Sequence, residues 1–360
     1  MIAKFIYLLY NICNTIFILL YILIYTIKNK GGLAMKTSTY IEVVRSDRKE
    51  LSSLSIESAM AIVKSLSRQH ENVSLTTINT TNDLDALIER KPDLVFIGMA
   101  YVTDSVESTQ KVWLSEKLER AGIPFTGSPR SAHELGINKD RAKQRVSDRG
   151  LATANFCVVN TDQSYSQHKG LEFPLFVKPI SGGGGQGVDE YSIVRTIKQL
   201  DDKISSIRDK HNADVIVENY LEGREFSVAI IKDRAFDTLI AMPLELIAPK
   251  DINGERMLGH EIKSSNQERA IGVNDPNERN LITKLALDVF HALGARDYGR
   301  IDIRCDSKGI PHFLEANLIP SLIEGYGSFP KAYKLNRDVG YDEMIKTIVS
   351  LGMSRVSVPA

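Results

Sequence analysis

Gly299-Arg300-Ile301-Asp302-Ile303-Arg304 and Phe313-Leu314-Glu315-Ala316-Asn317 are the two stretches on which the rest of the chain turns. In the first, Ile301 and Ile303 alternate with Arg300, Asp302 and Arg304, the two-residue period of a half-buried strand. Asp306-Ser307-Lys308-Gly309 supplies turn chemistry, and Ile310 to Ala316 runs back as the second strand of a hairpin. Alternation gives Arg300, Asp302 and Arg304 one face, and Glu315 and Asn317 share a face of the return strand. If the faces coincide, Asp302, Glu315 and Asn317 form a cluster of oxygen donors with Arg300 beside it. Such hard donors suit Mg²⁺, which completes its shell with water and substrate phosphates. An ordinary solvated hairpin face would read the same way in isolation, and the residues that shift the balance lie upstream.

The chain has 360 residues, enough for two or three domains. Lys+Arg and Asp+Glu both number 45, and with no basic stripe nothing argues for a nucleic-acid partner. Cys13, Cys157 and Cys305 are far apart, which excludes a disulfide framework or a thiolate zinc site and fits a reducing compartment. The seven histidines form no HExxH-type pair.

Residues 1–34 stand apart. Phe5 to Ile27 is an apolar run long enough to span a bilayer, flanked by Lys4, Lys28 and Lys30. The lysine bias places the main body on the cytoplasmic side if this candidate transmembrane helix is an uncleaved anchor. A second reading stays open: Lys30-Gly31-Gly32 precedes Met35, and the codons for such a run resemble a ribosome-binding site. Met35 would then be the true start, so a membrane contact is expected only if residues 5–27 are translated.

From Thr37 onward strands and helices alternate: strands at Tyr40–Arg45, Val73–Ile78 and Leu94–Ile97, and helices from a Ser53 cap to Ser67, over Asp83–Arg90 and over Val106–Ala121. This predicts a parallel α/β domain over 35–127. A smaller α+β unit over 128–214 follows, with a helix at Lys139–Arg149 and strands at Phe156–Val159, Leu175–Lys178 and Tyr191–Val194. Its second helix spans Thr196–Arg208. The third unit, 215–353, reads as strand-rich with one long helix, Pro276–Leu293. The expected fold class is therefore α/β (α+β).

Phe176-Val177-Lys178-Pro179 runs into Ser181-Gly182-Gly183-Gly184-Gly185-Gln186-Gly187. Glycines let backbone N–H groups wrap phosphate oxygens. The string fits GxGxxG, but strand or turn follows instead of the helix that a dinucleotide fingerprint needs. Val188-Asp189 stand where a Walker A loop has Lys-Ser/Thr. A flexible linker would not be bracketed so closely by strands, so the expectation is a flap over phosphates, with Lys178 as a point charge. Further on, Val215–Leu221 passes into Glu222-Gly223-Arg224-Glu225. A strand edge of this kind holds an adenine while a carboxylate receives ribose hydroxyls, with Glu218 as the adenine candidate and Glu225 as the ribose candidate.

In this order, Lys139, Val177-Lys178-Pro179 with its glycine loop, Glu218 and Glu225, Gly299-Arg300-Ile301-Asp302 and Glu315-Ala316-Asn317 resemble the ATP-grasp superfamily. Phe125-Thr126-Gly127-Ser128 and Leu314-Glu315-Ala316-Asn317 are most similar to the D-alanine–D-alanine ligases. The likeness covers about residues 120–350, and residues 37–120 in pattern only. It implies an ATP-grasp fold, with an N-terminal Rossmann-like domain followed by two α+β subdomains clamping ATP. It implies an ATP-dependent carboxylate–amine ligase working through an acyl phosphate and releasing ADP and phosphate. Carried over by residue, Lys139 and Lys178 hold phosphates, and Gly183, Gly184, Gly185 and Gly187 close over them. Glu218, Tyr220, Leu221 and Leu314 belong to the nucleotide site, and Glu225 takes the ribose. Asp302, Glu315 and Asn317 bind two Mg²⁺, for which Mn²⁺ can substitute. Arg300 stabilises the transferring phosphoryl group, and Lys263, on the polar and structureless stretch Ala248–Asn266, reaches the γ-phosphate. Homodimerisation is implied by the resemblance alone, whereas the expected cytoplasmic location also follows from the cysteine usage and the lysine bias above.

The likeness breaks at the amino-acid pocket. The family's early Glu-x-x-Val-Ser-like motif has no matching acid in Ser52–Ser58, and Gly98–Asp104 replaces a glycine- and acid-rich loop. Gly184-Gly185 replace a serine pair, and Leu318-Ile319-Pro320-Ser321-Leu322 replaces a Thr-Ser-Pro-Gly-Met-type run. Small-molecule carboxylate and amine substrates other than those of peptidoglycan synthesis are the alternative. An ATP-binding regulatory module without turnover, and a phosphotransferase or thioester-forming relative, are the competing classes.

Overall fold

The computed structural model describes residues 37–48, 51, 54–105, 108–160, 170–180, 185–251 and 254–355. The apolar run at 5–27, Ser53, Gly183 and Gly184 lie outside the described residues. Among the described residues no helix is long and apolar enough to cross a membrane.

The first part is a small α/β layer. Strand β1 (Thr37–Arg45) leads to α1 (Ile56–Leu66), β2 (His70–Thr77), α2 (Thr81–Glu89) and β3 (Leu94–Ile97). The sheet order is β2-β1-β3, and β1 and β3 are parallel, with Ile41 opposite Leu94. Helix α1 is capped by Ser55, whose side chain accepts from the Ser58 N–H, whereas the sequence pattern put the start at Ser53. Leu54 is buried ahead of the helix, its N–H bonded to the Gly98 carbonyl. Helix α2 carries a full capping box between Thr80 and Asp83.

The helix expected over Val106–Ala121 is a correction. Strand β5 (Val112–Trp113) falls within it, paired antiparallel with β4 (Tyr101–Val102) just upstream, and α3 covers only Leu114–Arg120. The aromatic pair Tyr101–Trp113, with centroids 5.6 Å apart, fastens that hairpin and overrides the helical spacing.

Helices α4 (Arg130–Ile137) and α5 (Lys139–Asp148) lead into the second unit, and α4 was not anticipated. That unit holds β6 (Phe156–Val159), β7 (Leu175–Pro179), β8 (Ile193–Val194), α6 (Ile197–His211) and β9 (Val215–Asn219). The sheet order is β6-β9-β7-β8, all antiparallel. Leu200, Ile204 and Ile207 of α6 recur at helical spacing and pack on Val177, Val215 and Val217. Thr196 caps α6 at its start, and Asn212 ends it in the left-handed region at φ 45°.

The third unit is a five-stranded antiparallel sheet, ordered β12-β11-β10-β13-β14. Its members are β10 (Glu225–Asp233), β11 (Thr238–Ile247), α7 (His260–Ser264), β12 (Arg269–Gly272), α8 (Pro276–Ala292), β13 (Tyr298–Cys305) and β14 (Pro311–Asn317). The stretch Ala248–Asn266 is thus not wholly structureless: it carries α7 and a Lys250–Arg256 bridge. Ile282, Ala286, Val289 and Phe290 of α8 form one core with Phe226, Val228, Ile301, Ile303 and Phe313.

Helices α9 (Ser328–Arg337) and α10 (Tyr341–Met353) end the described chain where only a strand-rich unit was expected. Met344, Ile345, Ile348 and Val349 of α10 share a core with Ile41, Val43, Ile62, Leu94 and Phe96. The α/β layer near the start is completed from the far end of the chain.

Candidate active site

The β13–β14 hairpin forms as the alternation predicts, with one addition. Arg300 lies opposite Asn317 and Asp302 opposite Glu315, but Ile303 then pairs with Phe313, so Leu314 is the extra residue of a β-bulge. Ile301, Ile303 and Phe313 turn to the core, while the bulge lets Leu314 and Glu315 line the same pocket. Arg300 clasps Asp302 through two bonds, Nε to Oδ1 at 2.9 Å and Nη2 to Oδ2 at 2.8 Å. Ser227 Oγ donates to Asp302 Oδ1 at 2.7 Å. The Asn317 amide donates to Asp302 at 3.2 Å and to Glu315 at 3.4 Å. Arg300, Asp302, Glu315 and Asn317 are therefore brought together.

Among the described residues no cluster of three or more His, Cys, Asp or Glu is placed to hold a metal ion. The set here is two carboxylates and an amide on paired strands. Its chemistry fits a hard divalent cation that draws its remaining ligands from phosphate and water.

A second cluster lies on the facing sheet. Glu218 of β9 is 2 % exposed and bridges two lysines, Lys178 of β7 at 2.7 Å and Lys143 of α5 at 2.8 Å. Burial alone would raise the Glu218 carboxyl, but Lys143 and Lys178 outweigh it and hold it down at about 2. Burial lowers Lys143; for Lys178 burial is outweighed by Glu218 and Glu315, and its pKa is raised. Lys139 sits one helical turn before Lys143 and is pushed down by burial, with Glu315 opposing. Glu315 is likewise held at about 2, its burial overcome by Lys263, Lys139, Lys178 and Arg300. Lys139, Lys178, Lys263 and Arg300 thus all act on Glu315, with Glu218 and Asp302 sharing two of them, and the cations gathered here suit a polyanionic phosphate.

The glycine loop meets the stretch that carries Lys263. Gly185 adopts φ +78°, and a Cβ there would come within 2.8 Å of the His260 backbone nitrogen; at Gly259 it would come within 2.6 Å of the Val188 carbonyl. Only glycines permit this backbone-to-backbone approach. Gly187 turns at φ +73° against Pro179.

Between the two sheets lies a pocket walled by Phe176, Tyr220, Leu221, Met257, Leu258 and Leu314. Phe176 and Tyr220 stack at 6.4 Å and 22°. Arg304 closes one side: it donates to Glu225 at 3.1 Å, to the Tyr220 hydroxyl at 3.0 Å and to the Arg256 carbonyl at 3.0 Å. The Tyr220 hydroxyl donates to Glu255 at 3.0 Å. Burial raises the Glu225 carboxyl, against the pull of Arg304 and Lys263. A second cavity, of about 430 Å³, adjoins the first and shares Lys139, Pro179, Gln186 and Glu315 with it.

Of the residues singled out from sequence, Lys139, Lys178, Gly185, Glu218, Tyr220, Leu221, Glu225, Lys263, Asp302, Leu314 and Glu315 line the first pocket. Asn317 lines the second, and Arg300 joins through Asp302. Glu218, the adenine-edge candidate, lines the pocket with its carboxylate paired to Lys143 and Lys178. Lys143, Phe176, Arg304, Met257 and Leu258 were missed. Arg304 had a signal, since it shares the strand face of Arg300 and Asp302. Lys143 had only its spacing of four from Lys139.

This arrangement, two sheets facing each other across a pocket lined by lysines and carboxylates, is that of the ATP-grasp class. The family described as "D-ala D-ala ligase C-terminus" matches residues 146–350, more than half of the chain. The D-alanine–D-alanine ligase of Methylacidiphilum infernorum is 27% identical over 317 residues, covering 88% of this chain and 96% of that one. The D-alanine–D-alanine ligase of Nitrosococcus oceani is 28% identical over 241 residues, 66% of this chain and 72% of that one. The crystal structure of D-alanine–D-alanine ligase from Bacillus anthracis complexed with ATP superposes with TM-score 0.70 at 19% identity, covering 88% of this chain and 98% of that one. The chain belongs to the D-alanine–D-alanine ligase family, and it is an ATP-dependent carboxylate–amine ligase.

Proposed function

We propose that the chain activates a small carboxylate with the γ-phosphate of ATP and couples it to an amine at the junction of the two cavities. The observation that carries this is the sharing of Lys139 and Glu315 between an apolar-walled pocket and a second, polar cavity beside the Arg300–Asp302–Asn317 cluster. A nucleotide in the first places its phosphates where a carboxylate in the second can attack.

In this reading Phe176, Tyr220, Leu221 and Leu314 hold the adenine, and Glu225 receives the ribose hydroxyls. Lys139, Lys178 and the loop from Gly183 to Gly187 take the phosphates, with Lys263 brought in by the Gly185–Gly259 contact. Glu218 pins Lys178 in place. Asp302, Glu315 and Asn317 would hold Mg²⁺, which supplies charge neutralisation on the phosphates when bound. A substrate carboxylate oxygen attacks the γ-phosphorus, the bond to the β-phosphate oxygen breaks, and ADP leaves. The amine nitrogen then attacks the acyl carbon, loses a proton, and phosphate departs. Arg300, fixed by its two bonds to Asp302, faces the charge that develops in both steps.

The relatives' printed names give D-alanine as their substrate, and D-alanine is one candidate here. The altered pocket residues favour a different pair. A cytoplasmic location, where ATP is abundant, and homodimerisation belong to the same proposal. The test is ADP and phosphate release by the full chain with Mg-ATP over paired carboxylates and amines. Release that requires both partners supports ligation. ATP binding with no turnover on any pair would favour a regulatory ATP-binding module.

A further inference from the structure

Arg304 stands among the apolar walls of the nucleotide pocket, and nothing in the phosphate chemistry uses it. It leaves β13 on the face of Asp302 and is 8 % exposed. Its fork reaches three partners: Nη1 donates to Glu225 Oε2 at 3.1 Å, and Nη2 donates to the Tyr220 hydroxyl and to the Arg256 carbonyl, each at 3.0 Å. Taking a guanidinium out of water is costly unless such bonds are made, so its place here is set by what it holds. The Tyr220 hydroxyl carries the chain on to Glu255 Oε2 at 3.0 Å, and Glu255 Oε1 accepts from Arg195, next to β8, at 2.6 Å. Glu255 and Arg256 belong to the stretch that bears Lys263, whose carbonyl accepts from the Tyr326 hydroxyl at 2.6 Å. That stretch is therefore tied at two points: to β13 beside the ribose candidate, and to the chain that follows β14. Arg304 also stands between the nucleotide pocket and a cavity of about 390 Å³ behind it, and Tyr220, Glu225 and Leu258 line both.

We propose that Arg304 is a positioning residue that links the seat of the ribose to the placement of Lys263 over the phosphates. The inference rests on the reading above, in which ribose hydroxyls donate to Glu225 and Lys263 reaches the γ-phosphate. A guanidinium is planar and rigid, so the fork that holds Glu225 cannot turn without disturbing its bond to the Arg256 backbone. A ribose that settles on Glu225 fixes that carboxylate against Arg304, and Arg304 fixes the start of the stretch that ends in Lys263. An apolar side chain or a point charge at this position would leave Glu225 and Arg256 independent of each other. The ribose hydroxyls and Arg304 act as one unit, and removing either should have nearly the effect of removing both.

The test is amide hydrogen exchange over residues 254–266 of the full chain, read by mass spectrometry with saturating Mg-ATP and neither acid nor amine present. In the wild type ATP should slow exchange there about tenfold against the nucleotide-free protein, and 2′-deoxy-ATP or 3′-deoxy-ATP at saturation should give up most of that slowing. Arg304→Met, similar in length, should bind Mg-ATP within about threefold of wild type yet lose the slowing, and the deoxynucleotides should then make no further difference. Arg304→Lys, which keeps the charge without the fork, should behave as Arg304→Met does. With a substrate pair from the ligation screen, Arg304→Met should lower kcat about tenfold and leave the KM for ATP little changed. Thermal melts separate misfolding from a local effect, and the wild-type comparison of the three nucleotides stands without any variant. Equal slowing by all three nucleotides in the wild type, slowing retained in Arg304→Met, or full recovery in Arg304→Lys would overturn the inference. None of these needs turnover, so the ligase reading would stand. Silence in the ligation screen alongside the expected exchange pattern would count against the coupling reaction proposed above and support the role of Arg304.

Discussion

Replacing Glu218 by glutamine tests whether the buried lysines are held by charge. The carboxylate sits 2.8 Å from Lys143, whose side chain is fully buried, and 2.7 Å from Lys178, whose side chain is 9 % exposed. A carboxyl moved from 4.5 to about 2 is worth ~3 kcal/mol when charged. Removing one partner from a buried ion pair typically costs about 3–5 kcal/mol, so the two routes agree. Glu218→Gln should therefore lose ~3 kcal/mol of stability at pH 7, read from urea unfolding with an unchanged slope. The sign in acid follows from the depressed carboxyl. Its stabilisation is complete above about 4.5 and is lost as pH falls through about 2, so the gap between wild type and variant should close over that window. Asp202→Asn, which breaks the exposed Lys198–Asp202 pair, serves as a control that should leave the midpoint unmoved. A Glu218→Gln protein within about 0.5 kcal/mol of wild type at pH 7 would refute the argument.

Three further outcomes are expected. Arg300→Ala should lower kcat on the order of a hundredfold or more while Mg-ATP affinity changes little; equal losses in both would remove Arg300 from the developing charge. Glu315→Gln should raise the Mg²⁺ concentration for half-maximal turnover at least about tenfold, measured by titrating the metal at fixed ATP; an unshifted curve would place the metal elsewhere. Gly187→Ala puts a Cβ 2.4 Å from Pro179 at φ +73°, so it should cost ~1–3 kcal/mol by thermal or urea unfolding; an unchanged midpoint would mean that the loop accommodates the methyl group.

The hairpin was legible because its signal is local: Ile301 and Ile303 against Arg300, Asp302 and Arg304 specify a strand with one chemical face. The bulge at Leu314 was not, since it depends on how Phe313 and Ala316 settle into the α8 core. Lys143 looked like one more charge on a basic helix; its role appears only when Glu218, far along the chain, is folded beneath it. The Val106–Ala121 segment carried helical spacing that the Tyr101–Trp113 contact defeated. The last two helices were readable in principle. Phe329, Ala332 and Tyr333, then Met344, Ile345, Ile348 and Val349, stand at helical intervals, but a strand-rich reading of the third unit absorbed them.

The partnership of α10 with the first sheet has a consequence for how the chain is made. Ile41, Val43, Leu94 and Phe96 are made long before Met344, Ile345 and Ile348, which provide their apolar cover. The nascent α/β layer must wait with one flank bare, and a truncation before Tyr341 would leave that flank exposed for good, at the cost of aggregation instead of a folded half-enzyme.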